Sequence, residues 1–395
     1  MTLPKRMKFG IFMAPFHWQE DNPTLALQRD FELLEWLDDL GFDEAWIGEH
    51  HSAGWETIAS PELFIAAAAE RTKRIMLGTG VISLPYHHPL MVANRMVLLD
   101  HITHGRAMLG VGPGALVSDA YMLGIEHSTQ RPRMDESLGI IMRLLKEPDP
   151  ITYQAEWFTL QEATLHLRPY TVPYFPIAVA AAQSPSGMVL AGKHGAGVLS
   201  VSTLRSGSVR SNLGDFWKIA EDTAEEHGNT MNRNEWRLVV PTFLAETKKE
   251  AFDQARVGAA RFQRDYFEDT MGFERSHDGP AEEIVDVMVE KGAWCVGTPD
   301  DLVATINRLD EDSGGFGGLL VQATDWANRE QTMHSYELIA RYVMPQFQGS
   351  VESLNTSQQW AAEKRKELMA IRQKALDKAG SDYERTQKAA TGGDD

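Results

Sequence analysis

Glu49, His50 and His51 follow one another directly after a short run, 43–47, that reads as a strand. Two imidazoles beside a carboxylate can exchange a proton near neutral pH, with the carboxylate setting which ring nitrogen carries the hydrogen. Side chains alternate about a strand end, so one histidine faces a ligand squarely while the other packs sideways. One of the pair is therefore expected to be catalytic, with Glu49 setting its tautomer. The competing structural reading has both rings satisfied by neighbouring carbonyls. His87, His88, His101 and His104 raise a metal reading, but no His-Glu-x-x-His motif and no recurring carboxylate spacing supports it, and no metal is expected.

Other strand ends carry binding chemistry. Gly78-Thr79-Gly80-Val81 offers backbone without Cβ atoms, on which a flat ring could pack; a β-bulge is the alternative. Gly110-Val111-Gly112-Pro113-Gly114 lacks the order of a nicotinamide-binding fingerprint, and Pro113 removes an amide donor. Ala181-Ala182-Gln183-Ser184-Pro185-Ser186-Gly187 joins a strand to a helix, where free amides, hydroxyls and the helix dipole attract a phosphate. Ordinary serine capping would leave the same signature. Arg131 and Arg133 are within reach of that phosphate on sequence grounds, against the alternative that both are solvated.

The elements that must position these groups alternate regularly. Strands are predicted at 8–13, 43–47, 75–81, 107–111, 177–181, 197–200, 237–244 and 318–321, separated by amphipathic helices. The first helix opens at Asn22-Pro23, presents Leu25, Leu27, Phe31, Leu34, Leu37 and Leu40, and closes at Gly41. Eight strand–helix repeats predict an α/β fold, a closed (β/α)8 TIM barrel with insertions. The stretches 203–211 and 265–283 are too long for routine connections and are expected to form lids. The barrel domain is expected at 1–346. Residues 347–395 follow as a C-terminal helical extension, helical over 358–378 with a disordered tail over 380–395.

Composition narrows the class. The 395 residues include 43% hydrophobic ones, enough for a large core, and no run of about 18 apolar residues or leading signal segment is evident. A cytoplasmic protein with no membrane partner is expected. A net charge of −18 opposes nucleic-acid binding, and the single Cys295 excludes a disulfide framework within the chain.

The stretch 42–51, the run Leu77–Val81 with Leu84-Pro85-Tyr86-His87-His88-Pro89, the pair Leu99-Asp100 before Gly105-Arg106, and Val296-Gly297-Thr298-Pro299 together resemble the bacterial luciferase-like family of flavin-dependent monooxygenases. Ala59-Ser60-Pro61, 84–91 and Asp119-Ala120-Tyr121-Met122-Leu123-Gly124 are similar to limonene 1,2-monooxygenase-type members of that family. The resemblance spans about residues 7–345. It implies reduced FMN (FMNH2) bound at the carboxyl-end face of the barrel, with electrons from a separate NAD(P)H-flavin reductase and O2 as co-substrate. A C4a-hydroperoxyflavin, sheltered from water, would then insert one oxygen into a small apolar molecule.

By the same resemblance His50 inherits the catalytic acid/base role beside Glu49, and Gly80-Val81 matches a cis peptide beneath the isoalloxazine. Ala14, Thr79, Gly80, Val81, Arg131, Gln183, Ser184 and Gly187 form the cofactor-binding set. Gly112 and Pro113 stand where luciferase has a reactive cysteine and a phosphate-binding arginine, which argues against light emission. Phe16, Trp18, Trp55, Tyr86, Phe243 and Trp326 suggest an apolar, terpene-like substrate, or else are core and surface aromatics. Epoxidation of a terpene such as limonene is the leading activity. A Baeyer–Villiger ketone monooxygenase, an F420-dependent oxidoreductase and a non-catalytic flavin-binding protein are the alternatives. A homodimer is expected by analogy.

Overall fold

The computed structural model describes residues 2–14, 16–181, 184–202 and 212–391. Eight strands carry the fold: β1 (Lys8–Met13), β2 (Glu44–Ile47), β3 (Met76–Thr79), β4 (Ala107–Gly112), β5 (Ile177–Ala180), β6 (Gly197–Val201), β7 (Trp236–Leu244) and β8 (Gly318–Gln322). Each pairs in parallel with its successor, and β8 pairs back onto β1 with Lys8 opposite Gly318, so the sheet closes. Parallel neighbours require a crossover, and helices on the outside supply it. The predicted (β/α)8 barrel is the observed fold.

The lumen is packed rather than open. Trp46, Met108, Ala178, Leu199, Val239 and Leu320 meet inside it, each contributed by a different strand. At the amino-end floor the buried Arg237 pairs with the buried Glu44, a charge pair that burial permits only because each partner neutralises the other.

The first helix, Pro23–Leu40, is capped by the Asn22 side chain and ended by Gly41 at φ 85°, as the residue types predict. Its buried face differs from the expectation. Ala26, Asp30, Leu34 and Leu37 point inward, while Leu25 is 67% exposed, because the stripe that follows the helical period runs through 26, 30, 34 and 37. Asp30 is tolerated there because its carboxylate binds the ring of His17 at 2.8 Å.

The connections depart more. The helix Lys248–Arg261 continues without a break as a π-helix, Phe262–Thr270. The expected 265–283 lid therefore begins as an ordered helical turn, with Phe262 and Tyr266 buried. An antiparallel hairpin, Ile151–Gln154 with Thr159–Ala163, has no counterpart in the sequence reading. The stretch 203–211 lies outside the described residues. The chain divides into units Met1–Met344 and Pro345–Asp395. In the second, helices Glu352–Glu363 and Arg365–Thr391 reach beyond the expected 358–378 on both sides, since Ala, Lys, Arg and Glu after Gly380 favour helix and no proline interrupts them; residues 392–395 lie outside the described residues.

Candidate active site

β2 ends at Ile47, and Gly48 carries the chain into Glu49, His50 and His51 at the carboxyl-end face of the barrel. Each of the three takes a different partner set. Glu49 is buried and accepts from His51 Nε2 at 2.8 Å, His87 Nε2 at 2.6 Å and the Ser83 amide at 2.7 Å. It makes no contact with His50, so the expectation that Glu49 sets the tautomer of His50 is corrected. That task falls to Asp119, on the helix Val117–Met122, whose Oδ2 lies 3.2 Å from His50 Nδ1. On the other side His50 Nε2 lies 2.8 Å from Glu56 Oε2 as an ion pair. Glu56 Oε1 in turn accepts from the Tyr266 hydroxyl at 2.5 Å.

These pairings set the charges. Burial works against a charge on His50, but Glu56 and Asp119 outweigh it and the imidazole is pushed up to about 10. Glu56 and Asp119 are penalised by burial too, yet the imidazolium between them holds both below the ordinary carboxylate range. His51 is raised by its bond to Glu49. Burial, then the nearby Asp119 and Glu49, push the Tyr86 hydroxyl up to about 12, so it stays protonated.

Glu49, His51 and His87 are a group among the described residues whose ligand atoms lie within 4.8 Å of one another, close enough to share a cation. The Arg95 guanidinium contacts His87 Nδ1 at 3.4 Å, which makes Nε2 the donor toward Glu49 and places a positive charge beside the group. We read the cluster as a hydrogen-bonded node that braces the strand ends.

A cavity of about 710 Å³ opens past the ends of β4 and β5. Val81, Arg131, Ser184 and Gly187 line it, four of the residues predicted to bind cofactor. At one end Ser184 stands at the start of the helix Pro185–His194 without capping it, and no side chain among the described residues caps its first amides, which begin at Ser186. Ser184 Oγ lies 2.7 Å from Ser186 Oγ, which accepts from Arg131 Nε at 3.1 Å. Gly187 lets the helix start this close to β5, since a Cβ there would lie 2.5 Å from the Ala180 carbonyl oxygen. Hydroxyls, a guanidinium and open helix amides together form a donor set suited to a phosphate. The remaining wall is mostly apolar and includes Pro113, Met134 and Leu190, with Met271 and Phe273 from the insertion after the π-helix.

Other predicted residues lie elsewhere. Ala14 borders a separate space of about 60 Å³ beside Met13 and His17, because the chain turns there toward the first helix. The Thr79 hydroxyl is buried and stitches β3 to β4 by donating to the Gly110 carbonyl and accepting its amide. The Gly80–Val81 peptide is cis, as the resemblance implies. Gly78 and Gly80 back onto the Trp46 side chain, so their missing Cβ atoms make room for the core. Gln183 lies outside the described residues. Arg133 stacks over Trp157 at 5.4 Å, away from the Arg131 contact with Ser186. His50 and Glu49 are not part of the cavity wall.

Phe16, Trp55, Phe243 and Trp326 are buried in one aromatic cluster beneath the insertion, and Trp18 is capped by Arg261 at 3.9 Å. Their core reading holds. Glu56, Tyr266 and Ser186 went unremarked as site residues in the sequence. Only Ser186, inside the serine-rich turn, carried a local signal.

Residues 7–315 match the luciferase-like monooxygenase family. The chain is 46% identical over 361 residues to 4-hydroxyprotoasukamycin monooxygenase of Streptomyces nodosus subsp. asukaensis, covering 91% of this chain and 97% of that protein. It is 45% identical over 346 residues to limonene 1,2-monooxygenase of Rhodococcus erythropolis, covering 88% of each. Among solved structures, the oxygenating constituent of 3,6-diketocamphane monooxygenase from Pseudomonas putida, a type II Baeyer–Villiger monooxygenase in complex with FMN, superposes with a TM-score of 0.72 at 27% identity, over 86% of this chain and 98% of that one. With the family match over residues 7–315 and close to half of its residues identical to a monooxygenase along nearly its whole length, the chain belongs to the luciferase-like monooxygenase family.

Proposed function

We propose that the protein is the oxygenase of a two-component system, using reduced FMN and O2 to insert one oxygen into an apolar small molecule. The observation that carries this reading is the cavity with a phosphate-type donor set at one end and an apolar wall along the rest. Ser184, Ser186, Arg131 and the amides of the Pro185–His194 helix would hold the flavin phosphate. Reduced flavin supplies the activation of O2. The chain's own part is to bind, to exclude water and to hold a proton.

Met271 and Phe273 cover the cavity with apolar surface, which keeps water from an oxygen-activating centre. His50, held charged between Asp119 and Glu56, is the group that would hold a proton for a reacting oxygen. A fixed imidazolium keeps that oxygen protonated and favours electrophilic transfer to an alkene, as in epoxidation of a terpene such as limonene. Loss of the proton favours attack on a ketone, the Baeyer–Villiger alternative. No nicotinamide fingerprint occurs in the sequence, so electrons would come from a separate NAD(P)H-flavin reductase. No helix among the described residues is long and apolar enough to cross a membrane. A cytoplasmic site of action and a homodimer are part of the proposal.

The test is turnover of limonene with chemically reduced FMN under labelled oxygen (18O2). One labelled atom in the product is expected, and His50→Ala should abolish it while flavin still binds. Unlabelled substrate recovered intact, with oxidised flavin and peroxide forming at the rate of free solution, would instead make the protein a flavin binder. A preference for reduced F420 over reduced FMN would overturn the cofactor.

A further inference from the structure

Two contacts run from the π-helix Phe262–Thr270 into the His50 site. Tyr266 donates its hydroxyl to Glu56 Oε1 at 2.5 Å, and Trp55 Nε1 donates to Thr270 Oγ1 at 3.0 Å. Glu56 is only 7% exposed, and its two oxygens are divided between the insertion and His50. The same segment leads directly into Met271 and Phe273, which line the cavity. One carboxylate thus touches both the segment that leads into the cavity wall and the His50 imidazole.

We propose that Glu56 and Tyr266 are positioning residues that tie the charge and setting of His50 to the docking of the Phe262–Thr270 segment, so that cavity wall and proton are in place together. The inference rests on the monooxygenase reading for its catalytic meaning. Its physical basis is the crowding of two carboxylates about one ring. Glu56 from the 49–56 loop and Asp119 from the helix Val117–Met122 both face His50, and they repel each other. The adjacent His51 adds a weaker like-charge effect on the ring. The Tyr266 hydroxyl is the neutral donor that makes a second buried negative charge tolerable, and it is present only while the insertion is seated. With the segment lifted, Glu56 gains water, its field at His50 is screened, and the ring loses its hold on the second proton.

Titration of the His50 ring by 13C and 15N NMR in the full-length protein tests this without flavin or substrate. Wild-type His50 should stay charged to about pH 9 or above. In Glu56→Gln, which keeps the shape and removes the charge, its proton affinity should fall at least tenfold. Tyr266→Phe keeps the ring packing against Phe16, Phe262 and Phe267 and removes only the hydroxyl. It should lower the affinity less and speed amide exchange across 262–270. A His50 midpoint unchanged in both variants would overturn the proposal, as would unchanged exchange in Tyr266→Phe; should Glu56→Gln not fold, Tyr266→Phe decides alone. In turnover, the basic limb of the kcat profile should move to lower pH in Glu56→Gln, whereas a merely structural role would lower kcat equally at all pH. If the monooxygenase reading fails, turnover is absent in the wild type while the titration result still stands.

Discussion

His50 is the residue on which charge matters most, because a cation lodged between two carboxylates also stabilises the fold. Its folded-state proton affinity is raised above the ordinary histidine value of about 6.5 to about 10. The stabilisation is therefore complete below about pH 6.5 and lost as pH rises through about 10. His50→Gln should destabilise the protein most near neutrality and progressively less toward pH 10, checked by denaturant midpoints across that range. On the acid side Glu56 and Asp119, both lowered, release their stabilisation as pH falls through their folded values, below the ordinary carboxylate range. In the cavity wall, the Arg131 guanidinium could give a bound phosphate a charge-assisted bond of about 1.5–3 kcal/mol. Arg131→Ala should weaken reduced FMN binding by about 10- to 100-fold and leave riboflavin, which has no phosphate, unaffected in a fluorescence titration.

Among the elements, the helix Pro185–His194 has the narrowest tolerance. Its start is pressed against the end of β5, and Gly187 is where helix and strand backbones meet. Gly187→Ala would place a methyl 2.5 Å from the Ala180 carbonyl oxygen and 2.7 Å from the Ala181 Cα, backbone atoms that cannot swing aside. Overpacking of this kind costs about 1–3 kcal/mol. The expected result is a lower melting temperature together with weaker FMN binding, because the helix that presents Ser186 is displaced; unchanged affinity would show that its amides do not hold the phosphate. The π-helix Phe262–Thr270 is the other informative element. It continues from Lys248–Arg261 without a break and seats Phe262 and Tyr266 in the aromatic cluster, so the docked segment is an ordered helix.

At the scale of the whole molecule, the barrel accounts for the buried side chains, and no residue from 351 to 390 is buried. A chain ending at Ser350 should therefore unfold within about 3 °C of the full-length protein and retain flavin binding, measured by calorimetry and titration. A large loss of stability would show that Leu354, Trp360 or Leu368, exposed in this chain, are covered in an assembly. Barrel architecture was legible in the sequence because strand and helix periods, Asn22 and Gly41 at one helix and Thr298-Pro299 at another are local signals, read within a few residues of where they act. The serine-led strand-to-helix turn at Ser184 was legible for the same reason, and the cis Gly80–Val81 peptide through family resemblance. Glu56 and Tyr266 were not, because they meet across 210 residues and nothing near either one marks the other. The partner of Glu49 was misread likewise, since only the closed barrel brings His87 beside it and hands His50 to Asp119, 69 residues away. Local sequence thus determined which elements form and which chemical groups stand at their ends. Which of those groups share a proton was decided only by barrel closure, because hydrogen bonds and ion pairs act over a few ångströms and have no fixed separation along the chain.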